Sequence, residues 1–366
     1  MRMSAAVLPG VGGRFEVADV VLDGPHEGEI LVRIHASGLC ASDLNGIDGK
    51  RTLVPFPAVL GHEAAGVVIE CGEGVAGLDA GDHVVLSIVP SCGTCAWCLR
   101  GRPNFCTTAG NAMARGALFD GTRRLHLGKT PLHHFLMVAS FAEYAVVPAT
   151  GAVRVRKDMP LDCAALISCA VLTGYGAVHN TARVRPGSRV VVFGCGGVGL
   201  NIVQGARIAG AERIIAVDVT EEKLDLATVV GATDVVNAST TDPVAAVREL
   251  TGGADYAFEA VGSESTIQQA WQSLDAGGEV VLVGLLRSSA SLTLDAGPFL
   301  SEQSIRGCYF GSSDIRRDVP ALVDLYVEGH LHLDELISHR VGLEDLNDSF
   351  EELRLGRGAR HVVVLG

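Results

Sequence analysis

The chain has 366 residues, 48% of them hydrophobic, and a formal net charge of −13. Its length favours two domains over one, its apolar content excludes a disordered chain, and its acidic balance argues against nucleic acid or an anionic membrane as principal partner. The opening residues MRMSAAVLPGVGG lack an apolar core followed by a cleavage site, and no apolar run approaches the roughly 20 residues that span a bilayer, so a cytoplasmic protein is expected.

The first 150 residues read as short β segments separated by Gly- and Pro-bearing turns, among them EILVRIHASG, AAGVVIECG and GDHVVLSIV. They predict a β-rich, barrel-like unit, with residues 107–140 as an irregular insertion holding His126, His133 and His134. Just before that insertion, CGTCAWCLRGRPNFC places Cys92, Cys95, Cys98 and Cys106 in a C-x2-C-x2-C-x7-C pattern. Where thiols stay reduced, such clustering favours a metal over disulfides. Four thiolates saturate a tetrahedral zinc and leave no position for a substrate, so the set predicts a structural site that pins a loop with little core of its own. A cluster for electron transfer is the less favoured alternative.

Near residue 163 the texture changes. CAALISCAVLTGYGAVH reads as a small-residue helix, and PGSRVVVFGCGGVGLNIVQGARIAGAERIIAVDV as strand, Gly-rich turn, helix and strand. Further strand–helix units follow, through TIQQAWQSLDAGGEVVLVG to SIRGCYFG, and predict a parallel sheet covered on both faces. The tail returns to helix (DIRRDVPALVDLYVEGHL) and ends in a strand (ARHVVVLG) that is expected to complete the first unit. The predicted domains are therefore 1–170 with 310–366, carrying a cysteine lobe at 91–107, and a nucleotide domain at 171–309.

The stretch GCGGVG supplies Gly194-x-Gly196-x-x-Gly199, with Gly197 and Val198 between, directly after an apolar strand and before a helix. Gly194 permits the tight turn, Gly196 lets backbone approach a pyrophosphate, and Gly199 lets helix and strand pack closely. The next strand ends in Asp218, at about the 20-residue distance of a ribose-binding acid. Its charge accepts both ribose hydroxyls and repels a 2′-phosphate, which favours NAD over NADP. Lys223, about one helical turn later, either approaches the same ribose or is simply solvated.

Three further metal-binding types are scattered: Cys40 in GLCASDLNG, His62 in LGHEAAG and Cys169 in LISCAVLTGYG. Two thiolates, one imidazole and a water would form an open tetrahedral zinc site able to polarise a carbonyl or acidify an alcohol. Spacing alone does not assemble them. Each by itself is more often a buried cysteine or a satisfied core histidine.

Taken together, these motifs resemble the zinc-dependent medium-chain alcohol dehydrogenases, in the long-loop, class III-like branch, over essentially the whole chain. The resemblance implies an α/β fold: a doubly wound Rossmann sheet plus a β-rich GroES-like catalytic domain. It implies two Zn2+ per chain, a catalytic ion on Cys40, His62 and Cys169 and a structural ion on Cys92, Cys95, Cys98 and Cys106. It further implies that Glu63 approaches the metal during ligand exchange, that Asp43 orients His62, and that Ser42 takes the substrate proton. Thr173, Val198 and Val283 would pack around the nicotinamide, Arg360 would pair with the cofactor pyrophosphate, and the protein would be a homodimer acting on a small alcohol or aldehyde. The implied activity is reversible alcohol oxidation with NAD. The alternatives are a thiol-dependent formaldehyde dehydrogenase and a nicotinoprotein with tightly held NAD, and, less favoured, a zinc-free reductase or a non-enzymatic NAD-binding protein. Two positions depart from the family pattern: Ala41, where many members place a phosphate-binding Arg or His, and Asn45, where several end the proton relay in a histidine.

Overall fold

The computed structural model describes every residue except Thr52, Leu53, Ser288 and Gly366. The chain divides into two compact units, Met1–Cys169 with Asp314–Gly329 and Ile337–Gly366, and Ala170–Ser313 with His330–Leu336. The assignment of 330–336 to the second unit departs from the expected boundary at 310. Its cause is local: the Gln204 side chain brackets the His332 backbone, donating to its carbonyl at 3.0 Å and accepting from its amide at 2.7 Å, while Arg207 donates to the His330 carbonyl.

The first unit supplies β1 (Arg2–Leu8), β2 (Glu16–Leu22), β3 (Glu29–Gly38), β4 (Ala58–Val59), β5 (Glu63–Cys71), β6 (His83–Leu86), β7 (Leu125–Leu127), β8 (Thr130–His134), β9 (Tyr144–Pro148) and β10 (Ala152–Val155). The second supplies β11 (Arg189–Phe193), β12 (Arg213–Asp218), β13 (Asp234–Asn237), β14 (Ala254–Glu259), β15 (Leu274–Leu282) and β16 (Ser304–Gly307); β17 (Ile337–Val341) and β18 (Arg360–Val364) return to the first.

In the first unit, β1-β2-β7-β8-β4 close into a barrel and β10-β6-β5-β3-β18-β17 form a sheet to which β9 adds on β3. The 107–140 segment is thus not an irregular insertion: it contributes a helix, Thr107–Ala114, and two barrel staves. The staves escape pattern reading because β7 has three residues and β8 carries a proline. Leu8, Val20, Leu22, Leu125, Leu132 and Phe141 fill the barrel's apolar core.

Arg124, at the entry to β7, is 1% exposed. Its Nε and Nη2 donate to the Glu29 carboxylate of β3 at 2.9 and 2.7 Å, and Nη2 also reaches Asp120 at 2.7 Å. This buried fork ties barrel to sheet within the unit. The neighbouring His134 is fully buried and accepts the Arg124 backbone amide on Nε2 at 3.0 Å.

The second unit is a six-stranded, all-parallel sheet of order β13-β12-β11-β14-β15-β16. Helices Gly197–Ile208, Glu221–Val230, Pro243–Thr251 and Glu264–Gln272 follow β11 to β14 in turn. Outward from β11, that is the Rossmann strand order, in which ligands bind beyond the carboxyl ends of the strands. The helical segment Leu161–Ala182 corrects one expectation. Its 22 residues are long and apolar enough to cross a bilayer (mean hydropathy 1.6), yet 83% of its apolar window is buried, as suits a core helix.

Two measurements follow from the buried charges of the first unit. Arg124→Met leaves Glu29 buried without its counter-charge, and urea unfolding should show a loss of about 3–5 kcal/mol; Glu29→Gln should cost less, because Arg124 keeps Asp120. Burial, with repulsion from Arg124, pushes the His134 imidazole down to about 3. An unfolded histidine binds its proton near pH 6.5, so the unfolded chain holds more protons between these values and stability falls as pH drops below about 6.5. In His134→Gln that part of the pH dependence should disappear.

Candidate active site and metal centres

Strand register builds the first cluster. β3 and β5 pair antiparallel with Gly38 opposite Glu63, which sets Cys40, just past β3, beside His62, just before β5. β18 lies on the other side of β3, with Val362 opposite Gly38, and so delivers Arg360 to the same end. Cys169 comes from a π-helical turn, Ile167–Val171, in the helical segment whose first turns pack on β3 and β5. Such turns are frequent at functional sites. One ligand atom each from Cys40, His62, Glu63 and Cys169 lies within 4.8 Å of the others, and all four residues are buried.

The local sequence explains the fit. Gly61 has φ +87°, and a Cβ there would stand 2.7 Å from the Phe141 nitrogen and the Ser140 hydroxyl. At Gly38 a Cβ would stand 2.6 Å from a Glu63 carboxylate oxygen. Asp43, in the first turn of the helix Ala41–Ile47, accepts the Cys40 amide and the Gly61 amide at 3.1 Å each. His62 Nδ1 donates to the same carboxylate at 3.2 Å. That contact holds a proton on Nδ1, so that Nε2, buried and without a hydrogen-bonded nitrogen or oxygen partner among the described residues, is the atom a metal would take. The Phe135 ring meets the His62 ring edge-on at 5.6 Å.

Electrostatics point the same way. The Cys169 thiol, together with His62 and Arg360, outweighs burial and holds Cys40 well below the usual thiol range, while the same contact and burial push Cys169 well above it. Burial opposes charge on His62, but Asp43 and Cys40 outweigh it and raise the imidazole. Burial lifts Glu63 to about 8 against the pull of Arg360. A cation is the group that settles this set: it replaces the protons on the imidazole nitrogen and the sulfurs.

Arg360 lies beside this cluster. Its guanidinium is 5% exposed, lies 3.2 Å from the Glu63 carboxylate and donates to the Leu39 carbonyl at 2.9 Å. β18 begins there, which places this charge beside the metal cluster inside the first unit. Ser42 is half-buried on the helix that starts after Cys40, Asn45 is half-buried on it and Ala41 is exposed at its first position.

The second cluster joins Cys92, Cys95, Cys98 and Cys106, again within 4.8 Å of one another. Cys95 Sγ lies 3.5 Å from Cys98 Sγ and 4.0 Å from Cys106 Sγ. Thiolates on one zinc at about 2.3 Å stand about 3.8 Å apart, so the quartet already has a tetrahedral edge length. A Thr108 hydroxyl bond lowers Cys92 to about 5, and the Cys98 amide lowers Cys95 to about 7. An ion held by all four sulfurs would have no position left for a substrate.

In the second unit the Gly-rich turn follows β11. Gly194 has φ +94°, and a Cβ on Gly199 would fall 1.7 Å from the Gly194 carbonyl oxygen, so neither admits a side chain. A Cβ on Gly196 would meet nothing within 4 Å, leaving its backbone open to a ligand. Asp218, at the end of β12, accepts the Cys195 amide at 2.7 Å and those of Val219 and Thr220 at 2.8 and 3.0 Å. Cys195 thus ties the turn to the acid, a contact that sequence reasoning missed; its place between two of the fingerprint glycines was the available signal. Lys223 is half-buried one turn into the next helix. Val198 begins the helix after the turn, where its carbonyl faces Gly174, the neighbour of Thr173, while Val283 follows β15 and donates to the Glu259 carbonyl.

Comparison with known proteins agrees with this geometry. Residues 26–157 match the alcohol dehydrogenase GroES-like domain and 197–328 the zinc-binding dehydrogenase domain. An NDMA-dependent alcohol dehydrogenase of Amycolatopsis methanolica is 41% identical over 100% of this chain and 99% of its own. An S-(hydroxymethyl)glutathione dehydrogenase of Paracoccus denitrificans is 37% identical over the whole of both chains. The crystal structure of benzyl alcohol dehydrogenase from Acinetobacter calcoaceticus superposes with a TM-score of 0.95 at 34% identity, covering 100% of each chain. With these relatives spanning its full length, the chain belongs to the zinc-dependent medium-chain alcohol dehydrogenase family.

Proposed function

We propose that the protein interconverts an alcohol and its aldehyde or ketone, with NAD as hydride carrier and two zinc ions per chain, one in each cysteine-containing cluster. The observation that carries this reading is the buried, partnerless Nε2 of His62 grouped with the Cys40 and Cys169 sulfurs. Zinc held there supplies a Lewis acid that lowers the pKa of an alcohol hydroxyl, and NAD supplies the hydride acceptor.

The residues of the chain do the remaining work. Asp43 keeps the His62 proton on Nδ1, so Nε2 stays a donor of its lone pair. Arg360 offsets the negative charge gathered on two thiolates and Glu63. Ser42 Oγ takes the alcohol proton and passes it to solvent, because Asn45 cannot titrate. Asp218 accepts the ribose hydroxyls, the open backbone at Gly196 faces the pyrophosphate, and Lys223 adds a positive charge beside them. Thr173, Val198 and Val283 offer small surfaces to the nicotinamide. A cytoplasmic homodimer belongs to the same reading. It is supported by β16 at the end of its sheet and by the exposed Phe299, Leu300 and Tyr309.

A second reading, that NAD stays bound through turnover, draws support from the relative named as NDMA-dependent. Heating the purified protein should release NAD in that case, with alcohol turnover only when an artificial electron acceptor is present. Free exchange of NAD removes this reading.

The main reading is tested by an alcohol and aldehyde screen followed through NADH absorbance in both directions, with aromatic alcohols included. His62→Ala or Cys169→Ser should lower bound zinc from two per chain to one and cut turnover by about a thousandfold or more. Asp43→Asn should weaken zinc or activity by about 10–100-fold. A zinc-replete protein that oxidises no alcohol and reduces no carbonyl would refute the proposal.

A further inference from the structure

β17 and β18 run parallel with His339 opposite His361. Their rings meet at a centroid distance of 4.8 Å and an interplanar angle of 74°. His361 is 5% exposed, and among the described residues neither of its ring nitrogens has a hydrogen-bond partner. His339 is exposed and opens the pair to solvent. A neutral imidazole must carry one N–H, so a buried ring with both nitrogens unmatched is destabilising for the orphaned group. An edge-on ring contact alone does not recover that cost.

We propose that His339 and His361 form a third metal site, for a borderline divalent transition ion such as Zn2+, separate from the two cysteine-containing clusters. Three observations support it. Two imidazoles that share one ion at about 2.0–2.1 Å per nitrogen hold their rings roughly 5 Å apart, close to the separation here. Gly358, at φ +68°, lies against the buried ring: a Cβ there would stand 3.0 Å from His361 Nε2, so its absence keeps space beside that nitrogen. Burial, aided by the charge of His339, lowers the His361 pKa and keeps the ring neutral, ready to bind a cation without first losing a proton. Glu352 on the helix Leu346–Arg354 adds negative charge nearby, shared with Arg357. Imidazole donors with no sulfur suit Zn2+, Ni2+ and Cu2+ and offer little to Mg2+ or Ca2+.

The site touches the active centre through the backbone. The His361 carbonyl accepts the Leu39 amide, and its neighbour Arg360 holds the Leu39 carbonyl, one residue before Cys40.

The test is isothermal titration of Zn2+ into protein whose two cysteine-containing clusters are already loaded. One further equivalent should bind, His339→Ala should weaken it at least about tenfold, and His361→Phe should abolish it. His339 is exposed, so its variant reports on the site even where His361→Phe disturbs packing; matching urea midpoints separate the two effects. Absence of a third equivalent, or an isotherm unchanged by His339→Ala, overturns the proposal.

Discussion

The antiparallel register of β3 and β5, with β18 on the other side of β3, is the constraint on which the active centre depends. It sets Gly38 opposite Glu63 and Val362 opposite Gly38. From that alignment Cys40, His62, Glu63 and Arg360 meet at one end of the sheet, although they are up to 320 positions apart in sequence. A slip of one residue would turn every side chain to the opposite face. The glycines at 38 and 61 allow this packing, since a Cβ at Gly38 would collide with Glu63 and one at Gly61 with Phe141 and Ser140.

Charge explains the rest of the centre. Two thiols, an imidazole, a carboxylate and a guanidinium are sealed from water, where ionised groups survive only when paired. Asp43 pairs with His62, Arg360 with Glu63, and the Cys40 sulfur with Cys169 and its cationic neighbours. His62 Nε2 and the two sulfurs are the donors a cation would take from this set by displacing their protons, which distinguishes the cluster from a structural ion network. The four-cysteine lobe fits a different task, since an ion there would hold a segment with few buried residues by ligand bonds instead of core.

Much of this was legible in the sequence because the signals are local. The GCGGVG turn after an apolar strand, the Asp218 that ends the next strand and the closely spaced cysteines each declare themselves within a few dozen residues. Long-range facts were not legible. That Arg360 meets Glu63 shows only once β18 is seen beside β3. The two staves in 107–140 are too short for alternation to show, and the polar bracket from Gln204 that draws residues 330–336 into the second unit leaves no trace in composition. His361 carried no signal at all, since its interest lies in a partner contributed by another strand.

The proposed function requires two unlike zinc ions in one chain, one enclosed by sulfur and one reached by a single imidazole. X-ray absorption at the zinc edge, on protein loaded with two equivalents, tests it directly. Four thiolates on one ion and two on the other predict a mean shell of three sulfurs per zinc, with a nitrogen contribution from His62. A shell of four sulfurs without nitrogen, at two zincs per chain, would contradict the account.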